Sequence, residues 1–162
     1  PYTTLFRSIQ VEHPVTECVT GIDLIKEQIR IAAGKKLSYR QQDVRIGGHA
    51  IECRINAENP KEQFRPSPGL ITDVYFPGGK GVRIDTAVYN GYEVPAYYDS
   101  MLAKLIVHAK TRKEAISKMR SALGEVIIEG VDTNVDYQYE IMNHPDYQAG
   151  NVDIEFISEK MC

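Results

Sequence analysis

Two periods of apolar and polar residues follow one another along this chain, and they predict different elements. The first period is helical: apolar residues recur every three or four positions at Ile22, Ile25, Ile29 and Ala32. We therefore predict a helix over residues 21–33, started by a capping box at Thr20 and Asp23. Its charged residues, which we expect on the solvated side, are Lys26, Glu27 and Arg30.

The period changes to two after Gly47 and Gly48, which predicts a half-buried strand. Its apolar residues are Ile51, Cys53 and Ile55, and its polar face carries Glu52, Arg54 and Asn56. Two interpretations of the polar face stay open. It is either a solvated sheet face or the support for an arginine that binds an anion or a carbonyl group.

Further strands are predicted downstream by runs of β-branched and aromatic residues. Residues 70–76 and 82–86 flank a glycine-rich turn and suggest a hairpin, and the apolar run 101–109 suggests a central strand. The turn at residues 77–81 lacks the spacing of a phosphate-binding loop. Weak alternation over 152–157 predicts a last strand.

Two more helices follow from capping signals. Thr111 and Glu114 form a second capping box before an apolar stripe, and a third helix starts near Thr133 and stops near Pro145. Several strands followed by a helical end predict an α+β fold with an antiparallel sheet and packed helices.

The composition indicates what kind of protein this is and which partners it can have. The chain has 162 residues, 43% of them hydrophobic and 25% charged, with a net charge of −3. The mild acidity argues against a nucleic-acid partner, and no apolar stretch is long enough for a membrane span. No signal peptide is evident, so we expect a cytoplasmic protein with reduced thiols at its three scattered cysteines.

The segment Ile9–Glu17 carries the first candidate chemistry. Glu12 stands beside His13, and Pro14 is expected to hold the backbone of His13 extended. A carboxylate on an irregular segment against a helix is typical of proton-transfer sites, and it is equally typical of a polar loop.

Taken together, the motifs resemble the C-terminal part of biotin carboxylase. The resemblance rests on the segments 9–17, 21–34, 48–58, 66–69, 77–79, 97–106 and 130–134. It covers nearly everything from Ile9 onward, and the tail is most similar to the biotin carboxylase of bacterial acetyl-CoA carboxylase. The family is a group of ATP-grasp ligases that use Mg2+, ATP and bicarbonate to carboxylate biotin on a carrier protein.

The resemblance also implies residue roles. Glu12 corresponds to the general base that deprotonates bicarbonate, while Gln10 and the backbone of Val11 correspond to groups that hold bicarbonate. Arg54 corresponds to the arginine at the ureido oxygen of biotin, where it would stabilise developing negative charge. Ile154 aligns with an apolar residue beside adenine.

The family's metal motif is missing. Its glutamate, asparagine and arginine correspond to Thr4, Phe6 and Ser8, so no metal ligand is retained. The first eight residues look like a translated sequencing adapter, and we expect 1–8 to be a foreign or disordered segment, although a genuine extended terminus is the alternative. The upstream ATP-binding part is absent as well, so this chain alone is expected to be inactive.

We therefore predict the end of an ATP-grasp lobe at residues 9–45 and a biotin carboxylase C-terminal domain at 46–162. The parent protein is expected to act in acetyl-CoA carboxylase and fatty acid synthesis, as a homodimer with a biotin carboxyl carrier protein and carboxyltransferase subunits. Two alternatives stay open: a non-catalytic dimerisation or interaction module, and the corresponding segment of a pyruvate or propionyl-CoA carboxylase.

Overall fold

The computed structural model describes residues 8–161. Its helices are α1 (His13–Thr20), α2 (Leu24–Ala32), α3 (Arg112–Glu125), α4 (Val135–Asn143), α5 (Pro145–Ala149) and α6 (Phe156–Lys160). Its strands are β1 (His49–Asn56), β2 (Glu58–Asn59), β3 (Arg65–Pro66), β4 (Gly69–Leu70), β5 (Asp73–Tyr75), β6 (Val82–Thr86), β7 (Glu93–Val94), β8 (Met101–Ala109) and β9 (Ile127–Glu129). Nearly all of the expected foreign segment 1–8, including Thr4 and Phe6, lies outside the described residues.

An antiparallel three-stranded sheet with the order β1–β8–β6 organises the fold. The strand predicted over residues 101–109 is confirmed as the central strand β8. The alternation predicted for β1 is also confirmed, since Ile51, Cys53 and Ile55 are buried and Arg54 is exposed. These elements and the helices that pack on them confirm the predicted α+β class.

The hydrophobic core lies between one face of this sheet and helix α3. The inward-facing residues of β1 and β8 meet the predicted α3 stripe, which consists of Ala115, Ile116, Met119, Ala122 and Leu123. The Thr111 hydroxyl accepts a hydrogen bond from the backbone N–H of Glu114 at 3.3 Å, so the Thr111 half of the predicted capping box is present. The Glu114 carboxylate accepts from the backbone N–H of Lys110 at 3.1 Å instead of from that of Thr111. Burial in this core raises the pKa of the Cys53 thiol to about 12.

Helix α1 was not predicted, and it covers the opposite face of the sheet. His13 is its first residue, so the extended backbone expected there is wrong. Pro14 is fully buried in the first turn, where a missing N–H costs the helix nothing. Pro14 therefore starts a helix at this point, and the segment before it lies against the sheet.

Helix α2 is shorter than predicted, and its cap differs. Asp23 alone caps it, by accepting a hydrogen bond from the backbone N–H of Lys26 at 2.8 Å. Thr20 ends α1, and its hydroxyl donates to the carbonyl of Thr16. The expected capping box is therefore wrong.

The exposure predicted for α2 is right for Lys26 and wrong for Glu27 and for the apolar stripe. Glu27 is buried because its carboxylate accepts a hydrogen bond from the backbone N–H of Ser38 at 2.9 Å and pairs with Arg30. The apolar stripe is exposed instead, and Ile29 keeps 65% of its surface.

Two strand predictions are wrong, for different reasons. The predicted hairpin assumed that neighbouring strands pair, but β5 pairs with β9 and β6 pairs with β8. The predicted last strand is a loop followed by α6, since Asp153 accepts a hydrogen bond from the N–H of Glu155 and Phe156 is buried against Tyr147 and His144.

Among residues 8–161, no helix combines the length and the apolar character that crossing a membrane requires.

Candidate functional site

The α1-facing side of the sheet carries two polar rows. Cross-strand pairing sets Arg54 of β1, Lys104 of β8 and Asp85 of β6 in one row. The adjacent row places Glu52 of β1 and Arg83 of β6 on either side of Ile106. We call the five charged residues Glu52, Arg54, Arg83, Asp85 and Lys104 the charged face.

One cation from each strand of the sheet contacts α1 or the residues just before it. The Arg54 Nη2 donates to Glu12 Oε2 at 2.9 Å, and the Arg83 Nη1 donates to Glu17 Oε2 at 2.9 Å. Between them, the Lys104 Nζ donates to the carbonyl oxygen of Val11 at 3.3 Å. The charged face therefore fixes this segment at three points.

Glu12 and Arg54 meet directly, although they are 42 residues apart along the chain. Their side chains keep 55% and 49% of their surface, so the pair is open to solvent. The backbone N–H of Glu12 itself and then Arg54 hold the pKa of the Glu12 carboxyl below its usual range. Glu12 is consequently an anion at neutral pH, placed at the N-terminus of α1 where the helix dipole favours negative charge.

Backbone contacts fix the base of this pair. The carbonyl of Gln10 accepts hydrogen bonds from the His13 backbone N–H at 3.2 Å and from His13 Nδ1 at 2.7 Å. On β1, the carbonyl of Arg54 accepts from the buried Asn134 side chain at 3.0 Å. His13 and Asn134 therefore have structural roles beside the pair.

A second carboxylate, Glu52, lies on the charged face in an unusual state. Both of its side-chain oxygens are buried, and within residues 8–161 no group donates a hydrogen bond to them. Burial raises the pKa of Glu52, although Lys104 and Arg54 oppose that effect.

Within the charged face, Arg83 and Asp85 form a bidentate ion pair. The Arg83 Nε and Nη2 donate to the two carboxylate oxygens of Asp85 at 2.8 Å each. This fork, with the contact to Glu17, raises the pKa of Arg83, and the guanidinium together with Lys104 holds the pKa of Asp85 below its usual range. Both groups therefore stay charged around neutral pH.

Lys104, Arg83 and Asp85 were not predicted as part of the site. One signal was available for Lys104, because it is the single charge inside the apolar run of β8, and a charge in a central strand needs a partner. The ion-pair partners of Arg83 depend on strand register and on α1, which the hydrophobic pattern did not provide.

Ile154, the fifth predicted site residue, lies in the loop before α6. It is 96% exposed, so none of residues 8–161 covers it. The described cysteines, Cys18 and Cys53, are both free. Residues 8–161 contain no group of three or more acidic, histidine or cysteine side chains that could hold a metal ion.

Two family models match the chain. The biotin carboxylase C-terminal domain matches residues 52–159, and the ATP-binding domain of the carbamoyl-phosphate synthase L chain matches residues 6–40.

Among curated relatives, the biotin carboxylase of Allochromatium vinosum is 56% identical over 153 residues, which cover 94% of this chain and 34% of the relative. A pyruvate carboxylase subunit from Methanothermobacter thermautotrophicus is 53% identical over 151 residues, covering 93% and 31% of the two chains. The chain spans about a third of the length of these relatives.

Solved structures give the same result. The biotin carboxylase domain dimer of the Hydrogenobacter thermophilus 2-oxoglutarate carboxylase, in complex with MgADP, ADP and bicarbonate, is similar with a TM-score of 0.91 at 50% identity. That match covers 93% of this chain and 33% of the other. The biotin carboxylase subunit of a pyruvate carboxylase has a TM-score of 0.92 at 51% identity, covering 93% and 34%.

Proposed function

The chain belongs to the biotin carboxylase C-terminal domain family, and from that premise we propose that it is the trailing part of a biotin carboxylase. Its parent is then an ATP-dependent ligase that activates bicarbonate and carboxylates biotin on a carrier protein. The observation that carries this proposal is the contact of 2.9 Å between Glu12 and Arg54, which brings a carboxylate and a guanidinium together from distant parts of the chain.

In this proposal Glu12 is the base for bicarbonate. Its lowered pKa keeps the carboxylate ionised, which is the form that can accept the hydroxyl proton of bicarbonate. Gln10 and the backbone of Val11 are the proposed bicarbonate-holding groups, and they precede Glu12 on the same anchored segment.

Arg54 is the proposed group at the ureido oxygen of biotin. Negative charge develops there when biotin loses its N1 proton, and a guanidinium fixed on a strand stabilises that charge without reorganising. The ion pair with Glu12 supports this role, since it holds the guanidinium beside the position where bicarbonate would react.

Thr4 and Phe6 occupy positions where the family has a glutamate and an asparagine as metal ligands, and a phenylalanine ring has no atom that coordinates Mg2+. Because these two ligands are replaced, we propose that the chain by itself is inactive. Ile154 is the proposed apolar contact for adenine, and its exposure supports a role in covering a ligand.

A completed enzyme tests this proposal. Residues 1–8 are replaced by an upstream ATP-grasp lobe from a family member that includes the glutamate–asparagine–arginine motif, and ADP release is measured with bicarbonate and free biotin. We expect release that depends on both. The matched control keeps residues 1–8 behind the same lobe and should be inactive. ATP hydrolysis without any dependence on biotin, or none at all, contradicts the proposal.

For the acceptor system we propose acetyl-CoA carboxylase, and hence fatty acid synthesis, with a homodimeric parent that works with a biotin carboxyl carrier protein and carboxyltransferase subunits. The resemblance of the tail after Thr133 to the biotin carboxylase of bacterial acetyl-CoA carboxylase supports this assignment. The completed enzyme should carboxylate the carrier protein of an acetyl-CoA carboxylase faster than the carrier domain of a pyruvate carboxylase. The reverse preference contradicts it.

A further inference from the structure

Lys104 is the only lysine in the central strand β8, and its surroundings are built around its charge. Its side chain is only 12% exposed. The ammonium lies 3.3 Å from the carbonyl oxygen of Val11 and 3.3 Å from Asp85 Oδ2. A lysine this buried needs partners, and it has one on the sheet and one on the segment that carries Glu12.

The position of this ammonium is fixed from the far edge of the sheet. Asp85 receives two hydrogen bonds of 2.8 Å from Arg83, and Arg83 also donates to Glu17 of α1 at 2.9 Å. Asp85 cannot rotate without breaking this fork. A continuous chain of polar contacts therefore runs from α1 through Arg83, Asp85 and Lys104 to the carbonyl oxygen of Val11.

The carbonyl that Lys104 holds belongs to the peptide group that joins Val11 to Glu12. This peptide group is trans, so its N–H points away from its C=O. The N–H of this peptide group belongs to Glu12, whose carboxylate receives the hydrogen bond of 2.9 Å from Arg54. Lys104 therefore holds the peptide group from which the Glu12 side chain starts.

We propose that Lys104 is a positioning residue for the reaction: by holding the Val11 carbonyl, it fixes the Val11–Glu12 peptide group and with it the place from which the Glu12 carboxylate meets Arg54. The same contact fixes the backbone of Val11, which is proposed to hold bicarbonate. The part of this inference that concerns turnover rests on the proposed function, and the part that concerns the Glu12 carboxylate does not.

The other charged groups that face Glu12 do not replace this contact. Arg54 on β1 donates to the carboxylate directly, and His13 on α1 acts on it through space. Glu52 lies on the sheet near Glu12 and repels it. Lys104 contacts the carbonyl oxygen of Val11, so its influence on Glu12 passes through the peptide group that joins these two residues.

The direct test is a carboxyl-carbon NMR titration of Glu12 in the 162-residue chain. In Lys104→Met, we expect the pKa of Glu12 to shift upward toward that of an ordinary glutamate, and Lys104→Arg should restore most of the wild-type value. Arg54→Met is the positive control, because it removes a direct donor. Lys118→Met is the matched control, since that lysine also donates to two backbone carbonyls, those of Lys80 and His108, away from Glu12.

Asp85→Asn provides a second route if Lys104→Met does not fold. It keeps the lysine and weakens the group that places it, so the Glu12 pKa should shift upward by a smaller amount. A Glu12 pKa equal to that of the wild type in folded Lys104→Met, or in Asp85→Asn where Lys104→Met is unfolded, overturns the inference. A lysine with only a structural role would lower stability and leave this pKa unchanged.

The completed enzyme then tests the consequence for turnover. Lys104→Met should raise KM for bicarbonate about tenfold and move the acidic limb of the kcat/KM profile to higher pH, with rescue by Lys104→Arg. An active parent whose Lys104→Met variant keeps the wild-type KM and pH profile contradicts the positioning role alone. An inactive parent contradicts the proposed function and leaves the NMR titration as the test of Lys104.

Discussion

At the scale of single residues, the site combines an exposed ion pair with partly buried charges that hold it. Glu12 and Arg54 were predictable because each stands in a short segment with its own motif. Lys104 and Asp85 were not, because their roles depend on which strands pair and in which register. Residues that are proposed to contact substrate are therefore easier to find from sequence patterns than the residues that position them.

Glu52 gives a pH-dependent prediction at this scale. Its folded-state pKa is raised above the usual 4.5 by burial, so the native state binds a proton more tightly than the unfolded chain. The stability from this group is present below pH 4.5 and is lost as the pH rises through the folded-state pKa. Glu52→Gln should therefore increase the urea midpoint at pH 7.5, and the difference from wild type should vanish near pH 4.

The matched control for this measurement is Glu129→Gln, because Glu129 is an exposed carboxylate on β9. Its midpoint should follow that of the wild type across the pH range. A Glu52→Gln variant that is less stable than wild type at pH 7.5 would mean that the ionised carboxylate is favourably paired.

At the scale of elements, α1 is held to the sheet by cations more than by an apolar stripe. Its buried residue is Pro14, and its other contacts with the sheet include the hydrogen bonds of Arg54, Lys104 and Arg83. This explains why the apolar period did not reveal α1. A helix docked through charges shows no clear stripe in the sequence.

Arg83→Met tests this docking. It removes the contact with Glu17 and the fork on Asp85, and partly exposed ion pairs of this kind are worth about 1–2 kcal/mol together. We expect faster amide hydrogen exchange throughout α1, with little change in α3. Lys113→Met, on the exposed side of α3, is the control. Equal protection of α1 in both variants would show that the ion pairs do not hold the helix.

The turn after β9 gives a second prediction about elements. Gly130 has a φ of +99°, and a Cβ added there would lie 2.1 Å from the carbonyl oxygen of Leu70. Since that oxygen belongs to the backbone, Gly130→Ala should cost about 2–4 kcal/mol of unfolding free energy.

Gly78 is the matched position, because a Cβ there meets no atom within 4 Å. Gly78→Ala should change the unfolding free energy by less than about 0.5 kcal/mol in the same urea titration. Similar losses in both variants would contradict the close approach of Gly130 to Leu70.

At the scale of the whole molecule, the sequence predicted the sheet's two long strands and α3, whose apolar residues lie in one core. The predicted hairpin of β5 and β6 is wrong because their true partners, β9 and β8, lie further along the chain. The apolar stripe of α2 correctly predicted a helix, but the burial expected for that stripe is wrong. A stripe shows which side of a helix is apolar and not whether another element covers that side. The local pattern of residues did not show which distant strands pair or which apolar surfaces are covered.

Glu12 and Arg54 are proposed to act as one site with different roles, and the completed enzyme separates those roles in one assay. ADP release is measured with bicarbonate, with and without free biotin, for the parent, Glu12→Gln and Arg54→Met. We expect Glu12→Gln to lose at least about a hundredfold of both activities, because the base is missing. Arg54→Met should lose the stimulation by biotin and keep the slow release without it. Normal bicarbonate-dependent release in Glu12→Gln, or full stimulation by biotin in Arg54→Met, would contradict these roles.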